Sequence, residues 1–305
     1  MYLNKLIILF FPTFLFSNDY LNIFDYYHES LCSVLVNTSN IIDDYFIEGN
    51  TSVSSTTYAE LSTLIASETD AKLEKDIRFR LRLNLPKIQK NLRLYFEDES
   101  SDDTLYDGTT LNSEKLDSKR YYLRLELFNY VKNTFNIKFG GGVRFRKATL
   151  VPYINIRSKY KLYKDKKTLS KVYNRFRYYS DGEVENSLEL NSIYTINNNF
   201  YMVLKNSFYH NKYDAYETLL NDLTWTTVFN GKQQIKYGFG LLSQVYNFKQ
   251  LRSDYYYIQS TYHHLFYKDW IYYELSPSIL KRESNNFKTS YRVLINFGIH
   301  FKKSL

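Results

Sequence analysis

Arg78, Arg80 and Arg82 stand at every second position between Ile77, Phe79, Leu81 and Leu83. A guanidinium is a planar fork of donors that matches carboxylate or phosphate, so a row of them on one face is suited to holding or passing anions. The same spacing returns at Arg93, at Arg120 and Arg124, at Lys138, Arg144 and Arg146, at Arg157, Lys159 and Lys161, and at Arg175 and Arg177. Over that stretch only Glu97 and Glu126 share the parity of these cations. Later the balance is closer, with Glu185, Glu189, Asp222 and Glu274 set against Lys205, Lys236, Lys288 and Arg292.

Other chemistry is thin. His28, His210, His263, His264 and His300 are the candidate bases. His263 and His264 are adjacent, so an extended chain sends them to opposite faces. His210 lies near Ser207, but nearness in sequence does not make a triad. Cys32 is the single cysteine, which excludes an intrachain disulfide and weakens zinc and thiol-nucleophile readings. No catalytic residue, metal or cofactor is therefore expected, and the chain is not expected to be an enzyme. Asp98, Glu99, Asp102, Asp103, Asp107, Glu114 and Asp117 form an acidic run without EF-hand spacing. It reads as a solvated loop, with bridging of divalent cations to lipopolysaccharide phosphates as the other reading.

The elements that must position these residues are written in the pattern. Of 305 residues, 32 are Tyr and 22 are Phe, so the chain is too aromatic for a disordered one. Mean hydropathy is −0.44, which excludes a bundle of membrane helices. Residues 1–17 read as a signal peptide: Lys5, then an apolar stretch from Leu6 to Phe16 too short to span a bilayer, then Ser17 at the cleavage region. Residues 18–50 form a helical segment. Phe24, Tyr27, Leu31, Val34, Leu35, Ile41, Ile42, Tyr45 and Phe46 recur mostly at threes and fours, Asn37 to Asn40 is a candidate break, and Gly49 and Asn50 end it.

From Asp76 the period becomes two and stays there. Segments near 76–85, 89–97, 119–130, 133–146, 149–162, 169–180, 183–196, 199–210, 215–229, 232–246, 252–267, 269–280 and 287–301 alternate apolar with polar residues. Most reach ten residues or more, about the length of a tilted strand crossing a bilayer. Alternate connections are tight: Pro86-Lys87, Val131-Lys132, Asn197-Asn198, Asn230-Gly231 and Lys268-Asp269. The intervening ones are often longer, residues 98–118 most of all, with Lys147-Ala148 and Asp181-Gly182 as short exceptions. A transmembrane barrel of a single bacterial chain has an even strand number, so residues 55–67 are taken as a weak first strand. The expectation is an all-β, antiparallel, up-and-down transmembrane barrel over residues 51–305, with about fourteen strands and twelve as the fallback.

Beyond residue 70 the chain resembles Gram-negative outer-membrane β-barrel proteins. Its last strand is similar to their C-terminal assembly signal, with Phe297, Ile299 and Phe301 alternating, although Lys302-Lys303-Ser304-Leu305 follow. A looser resemblance is to uncharacterised proteobacterial barrels, on Leu85-Pro86 followed by Leu92-Arg93-Leu94 and on Trp270 with Glu274-Leu275-Ser276-Pro277. The resemblance implies the bacterial outer membrane, contact with its lipid and lipopolysaccharide, and insertion by its assembly machinery. It is similar to outer-membrane fatty-acid transporters in strand number and N-terminal segment only. If the apolar face meets lipid, the cations above line the lumen. That implies a channel for small anionic or polar solutes with a basic wall, and no nucleic-acid partner. The alternative is a structural or assembly barrel, closed by salt bridges and by the N-terminal helix as a plug. A helix packed on the periplasmic rim remains open beside the plug.

Overall fold

The computed structural model describes residues 18–46, 57–69, 71–84, 93–98, 121–146, 149–214, 216–246 and 250–302. One helix, α1 (Asn18–Phe46), precedes fourteen strands: β1 (Tyr58–Glu68), β2 (Glu74–Asn84), β3 (Arg93–Asp98), β4 (Tyr121–Lys132), β5 (Phe135–Arg146), β6 (Thr149–Lys164), β7 (Thr168–Tyr179), β8 (Val184–Asn197), β9 (Phe200–Asn211), β10 (Glu217–Asn230), β11 (Gln233–Tyr246), β12 (Gln250–Tyr267), β13 (Ile271–Arg282) and β14 (Thr289–Lys302). Each strand pairs antiparallel with its sequence neighbours, and β1 pairs with β14, so the sheet closes. Closure runs from Tyr58 opposite Lys302 to Glu68 opposite Arg292. A closed sheet leaves no edge of unpaired backbone groups, which is the condition for crossing hydrocarbon with strands.

The alternation sorts the side chains. Ile77, Leu150, Ile154, Ile156, Leu188, Phe239 and Ile258 are exposed on the outer face. Arg124, Asn155, Arg177, Glu189, Lys205 and Ser278 are buried on the inner one. An outer surface this apolar belongs in a bilayer, where it costs nothing to leave it uncovered by protein. Exposed Tyr130, Tyr160, Tyr163 and Tyr194 ring one rim, and Tyr178, Tyr213 and Tyr291 the other, as amphipathic rings do at an interface.

Five of the strands entering the short turns share one device. Leu127 on β4, Leu162 on β6, Ile196 on β8, Phe229 on β10 and Phe266 on β12 each fall at a register shift, as the extra residue of a bulge. All five are apolar and exposed. A bulge adds one residue and increases local twist, so these strands bend toward the rim with a hydrophobic side chain outermost. The extra residue also moves a turn. β4 continues through Lys132, and the turn falls on Asn133-Thr134 rather than on Val131-Lys132. Asn133 has φ 37, a region Asn enters far more readily than Val.

Helix α1 runs unbroken through Asn37 to Asn40. Its protein-facing side is a narrow stripe at Asp25, His28, Cys32 and Ser39, spaced by threes, fours and a double turn. It touches β14 and β2 at the end of the barrel that carries both termini of the sheet and the short turns. In barrels of this class that end is periplasmic. Ile23, Phe24, Tyr26, Tyr27, Leu31, Val34 and Ile41 on α1 are exposed, so the described helix lies against the rim. The proposed signal segment 1–17, the turn at Pro86-Lys87, Gly49, Asn50 and the acidic run 98–118, apart from Asp98 in β3, fall outside the described residues.

Candidate functional site: the charged lumen

Parity places Arg78, Arg80, Arg82, Arg124, Lys138, Arg144, Arg157, Lys159, Arg175 and Arg177 on the inner wall, in register with buried inward neighbours. Arg93 pairs with Glu126 across β3 and β4, and Arg146 with Thr149 across β5 and β6, as backbone positions. Arg120 lies outside the described residues. Glu185, Glu189, Asp222 and Glu274 also face inward, on β8, β10 and β13.

Three strands carry cations abreast: Lys138 on β5 faces Arg157 on β6, which faces Arg175 on β7. Like charges directly opposite repel, so the row needs counter-charge. Glu126 on β4 supplies it, with Arg157 at 2.7 Å and Lys138 at 3.0 Å. Arg175 donates to Ser187 Oγ at 3.4 Å.

One step toward the loop end, Arg177 lies between Asn155 and Glu185 and donates to Glu185 at 3.4 Å. Arg144 bonds Glu183 closely and stands 3.6 Å from both Glu185 and Asp181. Tyrosines fill the gaps. The Arg144 guanidinium lies 3.8 Å over the Tyr179 ring and Arg177 lies 4.4 Å over Tyr122, while Tyr179 donates to Glu185 at 2.7 Å. Arg124 lies 4.3 Å over Tyr95. Stacked guanidinium, phenol ring and carboxylate give Arg144 and Arg177 both a face and a charge to rest on. Arg144, Tyr179, Glu183 and Glu185 are all 1% exposed or less.

The far wall repeats the pattern. Lys205 pairs with Glu189 at 3.2 Å and sits opposite Asp222. Asp222 also accepts from Thr224 at 2.7 Å and, closely, from Tyr257. Toward the periplasmic end the side chains are more accessible. Glu60 accepts from Tyr58 and Tyr272, each at 2.5 Å, and pairs with Arg80 at 3.5 Å. Glu274 meets His263 at 3.1 Å and Asn296 at 3.2 Å. Arg80 is 30% and Lys138 25% exposed, against 0% for Arg144. The interior is thus packed from mid-barrel to the loop end and opens toward the periplasm.

Sequence reasoning missed several of these residues. Glu183 shares the parity of Glu185 and Glu189, and Lys171 that of Arg175 and Arg177, so both were within reach of the same rule. Tyr173, Tyr209 and Tyr255 lie near strand ends, where interfacial aromatics are common, yet face the lumen by register. Of the histidines, His263 and His300 face inward, His264 contacts Gln233 and Tyr273 on the opposite face, and His210 lies 3.4 Å from Glu217 at the loop end. Among the described residues no group of His, Cys, Asp and Glu is gathered tightly enough for a metal ion. Phe297, Ile299 and Phe301 lie on the lipid side of the closing strand, Phe297 exposed there and Phe301 stacked under His28 at 5.6 Å.

A closed antiparallel barrel with an apolar outer band and a charged lumen is an outer-membrane β-barrel protein. Among solved structures the chain is similar to OprB of Pseudomonas putida, at TM-score 0.53 and 8% identity, over 81% of this chain and 94% of that one. It is similar to a loop-deletion mutant of OmpT, an outer membrane protein of Vibrio cholerae, at TM-score 0.50 and 9% identity, over 81% and 99%. At such identity the likeness is one of fold. No protein-family model and no curated protein matches the sequence.

Proposed function

We propose that this protein is an outer-membrane channel that passes small anionic or polar solutes through a lumen with a basic wall. The observation that carries the reading is the row Lys138, Arg157 and Arg175, three cations abreast on the inner wall with Glu126 as the carboxylate bridging two of them. Fixed positive charge in a low-dielectric tube attracts anions and excludes cations. Arg78, Arg80 and Arg82 extend that wall where the lumen is more accessible. Phe297, Ile299 and Phe301 fit the role of assembly signal, since they present three apolar side chains on the strand that closes the barrel.

A second reading is favoured by the burial of Arg144, Tyr179, Glu183 and Glu185. So complete a network suits a structural barrel sealed by salt bridges on the loop side. Single-channel recording in a planar bilayer separates the two. Discrete conductance steps with anion preference, weakened by neutralising Arg78, Arg80 and Arg82, support the channel. A silent bilayer from folded protein supports the sealed barrel.

A further inference from the structure

The Arg-rich wall is compensated by nearby carboxylates, but a neighbouring lysine cluster is not. Lys161 on β6 sits directly opposite Lys171 on β7, and Lys159 is two residues along β6, opposite Tyr173. All three share the parity of Arg157 and Arg175 and therefore face the lumen. They lie next to the short β6–β7 turn, at the periplasmic mouth, where the lumen is open: Lys161 is exposed, and Lys159 and Lys171 are partly so. Directly opposite Cα atoms are about 5 Å apart and residues two along a strand about 7 Å, so three ammonium groups share one small patch.

Their surroundings leave them without counter-charge. Among the described residues none of the three lies within ion-pair distance of a carboxylate. Lys159 rests 5.3 Å over the Tyr173 ring, and Lys161 donates to the Asn133 carbonyl at 3.4 Å. Asp165, in the adjacent turn, is already used. It accepts the backbone N–H groups of Lys167 at 2.7 Å and Thr168 at 2.5 Å, and the Tyr163 hydroxyl at 3.0 Å. Those bonds, the Thr168 N–H foremost, hold its carboxyl below the usual range. Glu189, inward on β8, is engaged by Lys205. Lys164, Lys166 and Lys167 add further positive charge at the turn.

Like charges directly across a sheet are destabilising, and a bound anion would relieve that repulsion. We propose that Lys159, Lys161 and Lys171 form a docking site at the periplasmic mouth for a small, multiply charged phosphate compound. Compact ammonium point charges suit a tetrahedral phosphate, whereas carboxylates are better met by the planar fork of Arg. Asn136 faces Lys159, and Asn191 faces Lys171. Both side chains can donate to phosphate oxygens, and Tyr173 offers a ring to an organic group attached to it. The site would load the lumen from the periplasmic side.

The inference deepens the channel reading but is tested without conductance. The full mature chain, folded in detergent, is titrated calorimetrically with inorganic pyrophosphate and, separately, with citrate. Saturable pyrophosphate binding that weakens at least tenfold in Lys159→Gln/Lys161→Gln/Lys171→Gln, but not in Arg252→Gln at the opposite, loop end of the barrel, is the expected result. Citrate should bind more weakly than pyrophosphate. Heat-modifiable migration of each variant verifies folding, and the single substitution Lys171→Gln, at a partly exposed position, serves if the triple variant fails to fold. Undetectable pyrophosphate binding, affinity unchanged in the lysine variants, or tighter binding of citrate would overturn the proposal. A silent bilayer with intact pyrophosphate binding would remove the channel reading and leave this site standing. Conductance without binding would do the reverse.

Discussion

Tyr257 and Gly240 are direct cross-strand partners, and the tyrosine ring lies flat over the glycine on the inner wall. A Cβ at Gly240 would overlap that ring. Tyr272 covers Gly298 in the same way. The flattened rings let Tyr257 reach Asp222 and Tyr272 reach Glu60, so close approach at a glycine sets the geometry of the charged network.

Gly240→Ala should therefore destabilise the barrel by about 1–3 kcal/mol, the usual cost of overpacking. Gly231→Ala is the control, because a Cβ there meets nothing within 4 Å. Urea unfolding in lipid vesicles measures both. Equal midpoints would show that the ring is free to move aside.

The Arg144 and Glu183 pair should show strong coupling. Removing Arg144 takes its cation from the buried Glu183, which costs about 3–5 kcal/mol; removing Glu183 costs less, because Glu185 and Asp181 stay 3.6 Å from Arg144, and removing both costs less than the sum. Arg144→Gln, Glu183→Gln and the double variant form a cycle read by the same unfolding assay. Strictly additive losses would mean that the pair is screened by water.

Docking of α1 should depend on pH through Asp25. Lys268 donates to Asp25 at 2.7 Å and Tyr267 at 3.1 Å, and the Lys268 bond holds the carboxyl below its ordinary 3.8. A depressed acid contributes above its ordinary value and loses that contribution as pH falls through the lowered one. Lys268 is held above its ordinary 10.5, chiefly by the same bond, so its share is present below 10.5 and is lost as pH rises beyond it. Trp270 stacks on His28 at 4.2 Å and reports the contact. In a Trp225→Phe background, Trp270 emission should change as pH falls below 3.8, and Asp25→Asn should show the released spectrum already at neutral pH. An Asp25→Asn spectrum identical to the parent's at neutral pH would contradict this.

The outer face should reject charge according to depth. Ile154→Lys places an ammonium on an exposed, lipid-facing position of β6 and should cost about 2–4 kcal/mol if it lies at the bilayer midplane. The same substitution at Leu162, in the bulge near the turn, should cost about 0–1 kcal/mol. Equal losses in vesicle unfolding would mean that the membrane band is misplaced.

The sequence carried the strands because period two persists wherever one face is apolar. Even β1, recruited from Ser- and Thr-rich sequence, lies where parity and an even count required it. Register was less legible. Glu183 meets Arg144 across 39 residues of chain, and Arg157 meets Glu126 across 31, pairings fixed by strand stagger rather than by local pattern. The bulges were hidden too, since an extra Leu or Phe in an alternating run reads as ordinary apolar sequence. Lumenal tyrosines such as Tyr255 and Tyr257 resemble interfacial ones until parity is counted from a known neighbour.

The central claim is an aqueous path with fixed positive charge, and reversal potential in a salt gradient tests it most directly. The purified protein, reconstituted in a planar bilayer under a tenfold potassium chloride gradient, should give unitary steps whose reversal potential takes the sign of chloride preference. Neutralising Arg78, Arg80 and Arg82 should move that potential toward zero. Cation preference, or a silent bilayer from protein shown to be folded and inserted, would contradict the account.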